Sequence, residues 1–493
     1  MVVADVGRRR GALPAVAWPW VLAAAGVLLA VLVALSGRYG PHRDELYFVA
    51  VAAGRRLAWG YPDQPPLTPL VARLADVVAP GSLVVLHLPS ALAAAGAVVL
   101  AALTARELGG RVGAQLLTVV ATGTGVVVVT VGHFLSTTTI DTLFWVALVY
   151  TVLRTLGRDA PRGWLVVGLL AGVALLDKNL VLFLLAAIVV GIALTPEVRH
   201  HLRSPWAWAG AGIALLIWLP NLVWQATHGW PQLTLAADIR DEYSGLGPRL
   251  EFVGLLLVQF SPVAAALWVY GLVRLLRVPS LVRARPLGWA FLVLVVVFLV
   301  TGGKAYYVVG AVPVLLAAGA CGLESRRSAR GMVNAGVILA LGAMIAWPTA
   351  LPLLPDRTFG QSVYADLNDD QLEMIGWPAL AATVGEAVDA NDATLVVTAN
   401  YGEAGALEWY GSDVPVASGH NGYAAWGPPT ADGPVVLVGY AQAPDWAVGC
   451  RPVAAIDNGV DVDNEEQGRL VQVCDGPRGS WGEVWDEVTH LDA

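Results

Sequence analysis

Apolar runs of 15 to 24 residues recur along the first 347 positions, each ended by a short polar or Gly/Pro-rich turn. Runs of that length and polarity read as membrane helices. The pattern predicts spans near 15–35, 83–105, 112–131, 136–153, 163–177, 179–195, 206–224, 250–273, 286–302, 305–322 and 331–347. That is about eleven, with the pair at 163–177 and 179–195 tight enough to shift the count by one or two. Between the first two spans lies a long segment, 36–82. Its stretch Leu46 to Leu57 has helical apolar spacing and predicts a helix lying on the membrane surface. Beyond 347 the pattern changes. Trp347 to Pro355 is Pro-rich and reads as a linker. Strand-like runs follow (Thr394 to Thr398, Val435 to Tyr440, Leu470 to Cys474), alternating with a helical pattern near Glu403–Trp409. The expected architecture is a mostly α, polytopic membrane part, 1–347, and a C-terminal α/β domain, 348–493.

Composition agrees. Apolar residues make up 56% of the 493 and charged residues 14%, against about 25% charged in a soluble domain. A soluble fold cannot hide that much apolar surface, so lipid covers part of it. Disorder is excluded for the same reason. The net charge of −8 argues against nucleic acid as a partner. That charge is unevenly spread. Residues 1–347 carry 26 Lys+Arg and 15 Asp+Glu, whereas residues 348–493 carry 4 Arg and 23 Asp+Glu.

Arginine placement sets the expected orientation, because cytoplasmic loops are rich in Lys and Arg. With the N-terminus inside, the inner loops hold seventeen arginines, beginning with Arg8, Arg9 and Arg10, and the outer segments hold nine basic residues. Five of those nine (Arg38, Arg43, Arg55, Arg56 and Arg73) sit in 36–82. An odd number of spans then puts the acidic tail outside. Cys450 and Cys474 both lie in that tail, where an oxidising compartment lets them pair. The basic residues before the first span also fit a signal peptide. Its apolar run is long for one, and the chain continues as a polytopic protein.

Candidate chemistry concentrates on the outer face. Asp44 and Glu45 follow the first span directly. A carboxylate at the lipid boundary is partly desolvated, which suits a general base acting on a hydroxyl. An ordinary helix N-terminus accounts for the same pair, since acidic residues cap free N–H groups there. Asp141, in the stretch His133 to Phe144, falls at the outer end of the fourth span. Carboxylates at membrane depth are usually functional. The chain has 28 Arg and only two Lys. Lys178 and Lys304 both land at outer span ends, where each either neutralises a phosphate or snorkels to water. The outer loop 225–249 carries His228 and Trp230, a sugar platform or an interfacial belt. There is no P-loop, G-x-G-x-x-G before a helix, H-E-x-x-H or C-x-x-C, and no nucleophile elbow. Neither a nucleotide site nor Ser/His/Asp catalysis is supported.

Longer motifs carry a resemblance. Arg43-Asp44-Glu45-Leu46-Tyr47, then Trp59-Gly60-Tyr61-Pro62-Asp63-Gln64-Pro65-Pro66-Leu67, resembles the first outer loop of the C-type-fold membrane glycosyltransferases. That group (family 39/83-like) holds the protein O-mannosyltransferases and the lipid A aminoarabinose transferases. The likeness continues through Thr137 to Trp145, Leu219 to Pro231, Gly303 to Tyr307, and in the tail through Ala399 to Ala406 and Ser418 to Pro429. It implies a reaction: a sugar moves from a polyprenyl-phosphate donor in the bilayer to an extracytoplasmic acceptor, with inversion by single displacement. It implies Asp44 as the base and Asp141 as the second acidic position, with Glu45 beside the base. Donor-phosphate partners are then drawn from Arg43, Lys178 and Lys304. Substrate contacts fall to Tyr47, Asp63, Gln64, His133, His228, Tyr306 and Tyr307. No cofactor is expected and no metal is assigned, a divalent cation staying open because relatives differ. The sugar is mannose, arabinose or aminoarabinose; the acceptor is a protein, a glycolipid or a wall polysaccharide. The competing class is a secondary transporter or lipid flippase, which internal repeats and mid-span charges would mark; neither is evident. A non-catalytic scaffold is the third class.

Overall fold

The apolar runs of the sequence all become helices. In the computed structural model, which describes residues 13–53, 56–243 and 245–491, α1 (Trp18–Leu35) leads into α2 (Arg43–Val51) and α3 (Leu67–Val78), then α4 (Leu83–Glu107). Arg8, Arg9, Arg10 and Arg55 lie outside the described residues. Next come α5 (Val112–Gly123) and α6 (Val126–His133), bent by 59°, then α7 (Thr137–Arg158), α8 (Gly163–Leu175), α9 (Val181–Ala193) and α10 (Pro205–Thr227). After α11 (Pro231–Glu242), α12 (Leu246–Val258) and α13 (Pro262–Arg277) meet at 90°. The apolar part closes with α14 (Arg285–Thr301), a 3-10 turn (Ala305–Ala311) running into α15 (Val312–Glu324), and α16 (Ala329–Met344). Among the described residues five segments are long and apolar enough to cross a bilayer unaided: α1, α4, α7, α10 and Ala305–Glu324. Counting each bent pair as one span gives seven; α8, α9, α14 and α16 are shorter. Trp208, Leu216 and Val223 on α10 are exposed, as lipid-facing positions are.

The two bent pairs meet at their breaks. Phe260 packs against Gly125, where a Cβ would lie 2.5 Å from its ring. Val126 and Val127 donate their N–H groups to the carbonyls of Phe260 and Gln259 at 3.2 and 2.8 Å. Backbone groups freed by one break are thus satisfied at the other, as apolar surroundings require.

The tail begins with α17 (Asp356–Gly360) and α18 (Trp377–Ala390), then β1 (Leu395–Thr398), α19 (Tyr401–Tyr410), β2 (Val416–Ser418), β3 (Val435–Val438), β4 (Ala447–Val448), β5 (Arg451–Ala455), β6 (Leu470–Cys474), β7 (Gly476–Pro477) and α20 (Trp481–Val488). Five strands form one sheet in the order β2-β1-β3-β6-β5, with β1 parallel to both neighbours and β6 antiparallel to both of its own. Both faces are covered, so the central strands β1, β3 and β6 are apolar except for buried Thr398 and Gln472. Val396, Val436 and Val438 pack on Leu380, Val384 and Leu407 of α18 and α19, while Leu395, Val397 and Leu437 pack on Trp481, Val484 and Trp485 of α20. Cys450 and Cys474 are disulfide-bonded.

The first outer segment differs from expectation. α2 stops at Val51 and does not reach Leu57. Its apolar residues Leu46, Tyr47, Phe48 and Val51 are buried in protein. They pack with Val438 and Leu407 of the tail on one side and with Ala72 and Ala75 of α3 on the other. The amphipathic pattern therefore serves the tail, and the surface-lying helix is corrected. The close approach needs glycine: a Cβ on Gly402 or Gly405 would stand 2.8 Å from the Cβ of Arg43 or Leu46. The Pro-rich stretch is also held. Arg38 and Tyr39 donate to the carbonyls of Pro352 and Leu354 at 2.9 and 2.8 Å, and Trp347 Nε1 donates to Thr124 at 3.0 Å.

Candidate active site

The N-terminus of α2 separates its two carboxylates. Successive side chains on a helix point about 100° apart. Glu45 turns inward and is fully buried; it accepts from its own cap residue (His42 N–H, 2.9 Å), from Leu135 N–H (2.7 Å) and pairs with His87 Nε2 (3.0 Å). It ties α2 to α4 and to the turn before α7. Asp44 turns outward and keeps a third of its side chain exposed. Its Oδ1 accepts from the Tyr401 hydroxyl at 2.9 Å. His42 Nδ1 accepts from the Asp44 backbone N–H at 3.1 Å, its Nε2 lies 3.0 Å from Glu373, and its ring stacks on Phe134. One geometry thus serves as helix cap and also presents a single carboxylate outward.

Arg43 is already engaged. Glu465 lies 2.7 Å from one terminal nitrogen and Glu373 3.3 Å from Nε, while the Tyr401 ring sits under the guanidinium. The burial of this side chain works against its charge, but those neighbours hold its pKa above the ordinary arginine value. The lysines are differently placed. Lys178 donates to Thr138 Oγ1 at 3.0 Å and stands 5.5 Å from the rings of both Tyr306 and Tyr307. It is within electrostatic reach of Asp141, Asp177, Lys304 and Asp44. Lys304 stands over Tyr243 at 5.0 Å and within reach of Glu373. Neither lysine has a carboxylate within ion-pair distance among the described residues. Asp141 is buried on α7 one turn from Thr138, with an Oδ1 that finds no hydrogen-bond donor among the described residues.

The other expected residues divide. The Tyr47 hydroxyl donates to Asp63 at 2.8 Å and accepts from Gly422 N–H at 2.9 Å. Burial pushes the Asp63 carboxyl up to about 7, the Tyr47 bond opposing and the charge of Asp44 adding to it. Gln64 is buried, and its carbonyl accepts from Tyr61 N–H at 2.8 Å. His133 is buried edge-on to His87, behind Glu45 and away from the open side. His228 is exposed and stacks on Trp224 of its own helix at 4.1 Å. The geometry therefore gathers Asp44, Arg43, Asp141, Lys178, Lys304, Tyr306 and Tyr307, with Tyr47 and Asp63 behind them. It leaves His133 and His228 apart. The motif at 219–231 meets the first loop at its backbone carbonyls: Asn221 donates to Trp59 (2.9 Å) and Gln225 to Tyr61 (3.5 Å), which Gln232, just past the motif, also reaches at 3.0 Å.

Sequence reasoning missed Tyr401, Glu373, Glu465 and His42. Tyr401 lies 357 residues from Asp44, so no spacing could pair them. His42 carried a readable signal, a cap residue three before Glu45. Among the described residues the one group of three His/Asp side chains close enough for a metal is Asp159, His200 and His201. Its donor set argues otherwise. Trp164 Nε1 donates to His201 Nδ1 at 3.1 Å, so the ring's proton sits on Nε2, toward Asp159, and Arg283 already neutralises Asp159 at 3.7 Å.

Residues 63–224 match the family described as dolichyl-phosphate-mannose-protein mannosyltransferase. No curated protein matches the chain in sequence. ArnT from Cupriavidus metallidurans, solved with undecaprenyl phosphate, superposes with a TM-score of 0.63 at 15% identity, covering 93% of this chain and 98% of that one. Its apo form gives 0.62 at 13% identity, covering 92% and 97%. The arabinofuranosyltransferase AftD from Mycobacteria gives 0.53 at 13% identity, covering 95% of this chain and 40% of that one. The family match takes in residues 63–224, from the end of the first loop through the α7 motif, and the fold is shared with ArnT along nearly the whole length of both chains.

Proposed function

We propose that this chain is an integral membrane glycosyltransferase that moves a sugar from a polyprenyl-phosphate donor to an extracytoplasmic acceptor. The observation that carries the reading is Asp44: a carboxylate with a third of its side chain exposed, oriented by a phenol, near two lysines that have no carboxylate at ion-pair distance among the described residues. Asp44 takes the proton of the acceptor hydroxyl. The acceptor oxygen attacks the anomeric carbon as the bond to the phosphate oxygen breaks, so the configuration inverts. The electron pair leaves with the polyprenyl phosphate. Lys178 and Lys304 stabilise that leaving charge, and Tyr306 and Tyr307 wall the phosphate. Tyr401 holds one Asp44 oxygen and leaves the other for the acceptor. Arg43, neutralised by Glu373 and Glu465, anchors the tail to the loop in place of a phosphate. Thr138, one turn before Asp141, positions Lys178, and the Asp141 charge acts on it from beyond ion-pair distance. The likeness to ArnT, solved with undecaprenyl phosphate, supports a lipid carrier of this class. The test is transfer from synthetic polyprenyl-phosphate mannose, arabinose and aminoarabinose by purified protein in lipid. One donor is expected to turn over with wild type and none with Asp44→Asn. Equal turnover by both proteins would reject Asp44 as the base.

A further inference from the structure

The sheet of the tail holds a crevice that the reading above leaves unused. From β1 the chain passes to β2 on one side and then crosses to β3 on the other, both parallel to β1. The strand order reverses there, and in open α/β sheets ligands bind outside the carboxyl ends of the strands at such a reversal. A cavity of about 450 Å³ lies over those ends, lined in part by Arg43, Asn400, Gly439, Glu465, Arg469 and His490. An adjoining lobe of about 580 Å³ shares Gly439, Arg469 and His490 and adds Tyr440 and Trp446, whose rings meet edge to face at 5.9 Å.

The walls are suited to hydroxyl groups. Gly439 has φ +81°, and the Glu403 carboxylate fills the space its Cβ would take, so bare backbone forms the floor. Arg469 spends only Nε on protein, donated to the Glu465 carbonyl at 3.0 Å; its terminal nitrogens have no partner among the described residues. Arg43 and Arg469 are balanced by Glu465 and by Glu373 beside the Arg43 Nε, which favours no ion of either sign. Guanidinium, carboxylate, amide and imidazole side by side offer paired donors and acceptors to adjacent hydroxyls. The crevice also opens beside the base. Arg43 lines it and precedes Asp44, and Tyr401, which follows Asn400, donates to Asp44.

We propose that this crevice is the acceptor subsite and takes a neutral polyhydroxylated ligand, a glycan whose terminal hydroxyl reaches Asp44. The inference rests on the glycosyltransferase reading and names its acceptor class. The experiment is saturation-transfer difference NMR on the full-length protein in lipid nanodiscs. The probes are neutral di- to tetrasaccharides of pentoses and hexoses, with short peptides as the contrast. At least one oligosaccharide is expected to receive saturation. Arg469→Ala should weaken its binding roughly tenfold, as loss of a charged hydrogen bond does, at an unchanged melting temperature, with Arg469→Lys recovering part. Should Arg469→Ala not fold, His490→Ala makes the same comparison. Binding of no oligosaccharide, equal binding by the variants and wild type, or binding of peptides in their place each overturns the proposal. Asp44→Asn separates the two readings. Oligosaccharide binding insensitive to Arg469→Ala, with transfer lost in Asp44→Asn, removes the crevice alone. Crevice binding with wild-type transfer in Asp44→Asn removes the catalytic reading alone.

Discussion

Two adjacent carboxylates with opposite surroundings make the sharpest test at the level of single residues. Asn keeps the size of Asp44 and loses its basicity. Asp44→Asn should leave expression and donor binding intact and lower turnover by about 10²–10⁴, the usual contribution of a general base. Glu45→Gln should instead act on stability. The buried carboxylate accepts from two backbone N–H groups and pairs with His87, and an amide satisfies that set poorly. A loss of roughly 1–3 kcal/mol follows from leaving a buried partner unsatisfied, read as a lower melting temperature. Wild-type turnover in Asp44→Asn with normal stability in Glu45→Gln would show the roles to be reversed. Lys178→Ala and Lys304→Ala should each raise the donor KM about tenfold, since a hydrogen bond to a charged group contributes about 1.5–3 kcal/mol. An unchanged donor KM in both variants removes them from the site.

Elements show which signals the sequence carries and which it cannot. Long apolar periods were legible, so every predicted span is helical, although 112–131 and 250–273 each break into a bent pair and 305–322 opens as a 3-10 turn; β1, β3, β6 and α19 fall on their predicted runs. The three residues of β2 are too few to show a pattern. β5 is mostly exposed, with a register shift between Pro452 and Ala454. α2 was legible as a helix and misread as to its partner, because an amphipathic face says that it is covered but not by what. Only the tertiary fold brings α19 against it. The same helix, α19, carries a pH-dependent cost. Glu403 is buried at its first turn, and burial, then the nearby Glu466, pushes its carboxyl up to about 8. A carboxyl whose pKa is raised on folding binds its proton more tightly when folded, so stability is greatest at acid pH and falls as pH rises from about 4.5 toward 8. Glu403→Gln should therefore flatten the stability profile, raising the melting temperature at pH 8 and leaving it unchanged at pH 5. An equal shift at both values would show that the charge is not the cause.

At the scale of the whole molecule, the two halves of the charge distribution meet. The first outer segment held more arginine than its side of the membrane should. The structure spends that excess on the acidic tail: Arg43 on Glu373 and Glu465, and Arg56 on Glu408 at 3.0 Å with Trp426 beneath it. Those arginines are docking residues and say nothing about orientation, so they come out of the topology argument. Nine less those two leaves seven basic residues on the proposed outer side against seventeen arginines inside, which strengthens the expectation of an inner N-terminus. Because α2 and the tail are bound together, they must also share a face of the membrane. Disulfides persist in oxidising compartments, so the Cys450–Cys474 bond agrees with an outer face. We therefore expect residues 348–493 to be extracytoplasmic. With both native tail cysteines paired, a cysteine introduced at exposed Val363 or Leu367 should react with a membrane-impermeant maleimide in intact cells. A cysteine at exposed Val112, the first residue of α5 and on the expected inner side, should react only after lysis. The reverse pattern would put tail, loop and base in the cytoplasm and remove the acceptor from reach.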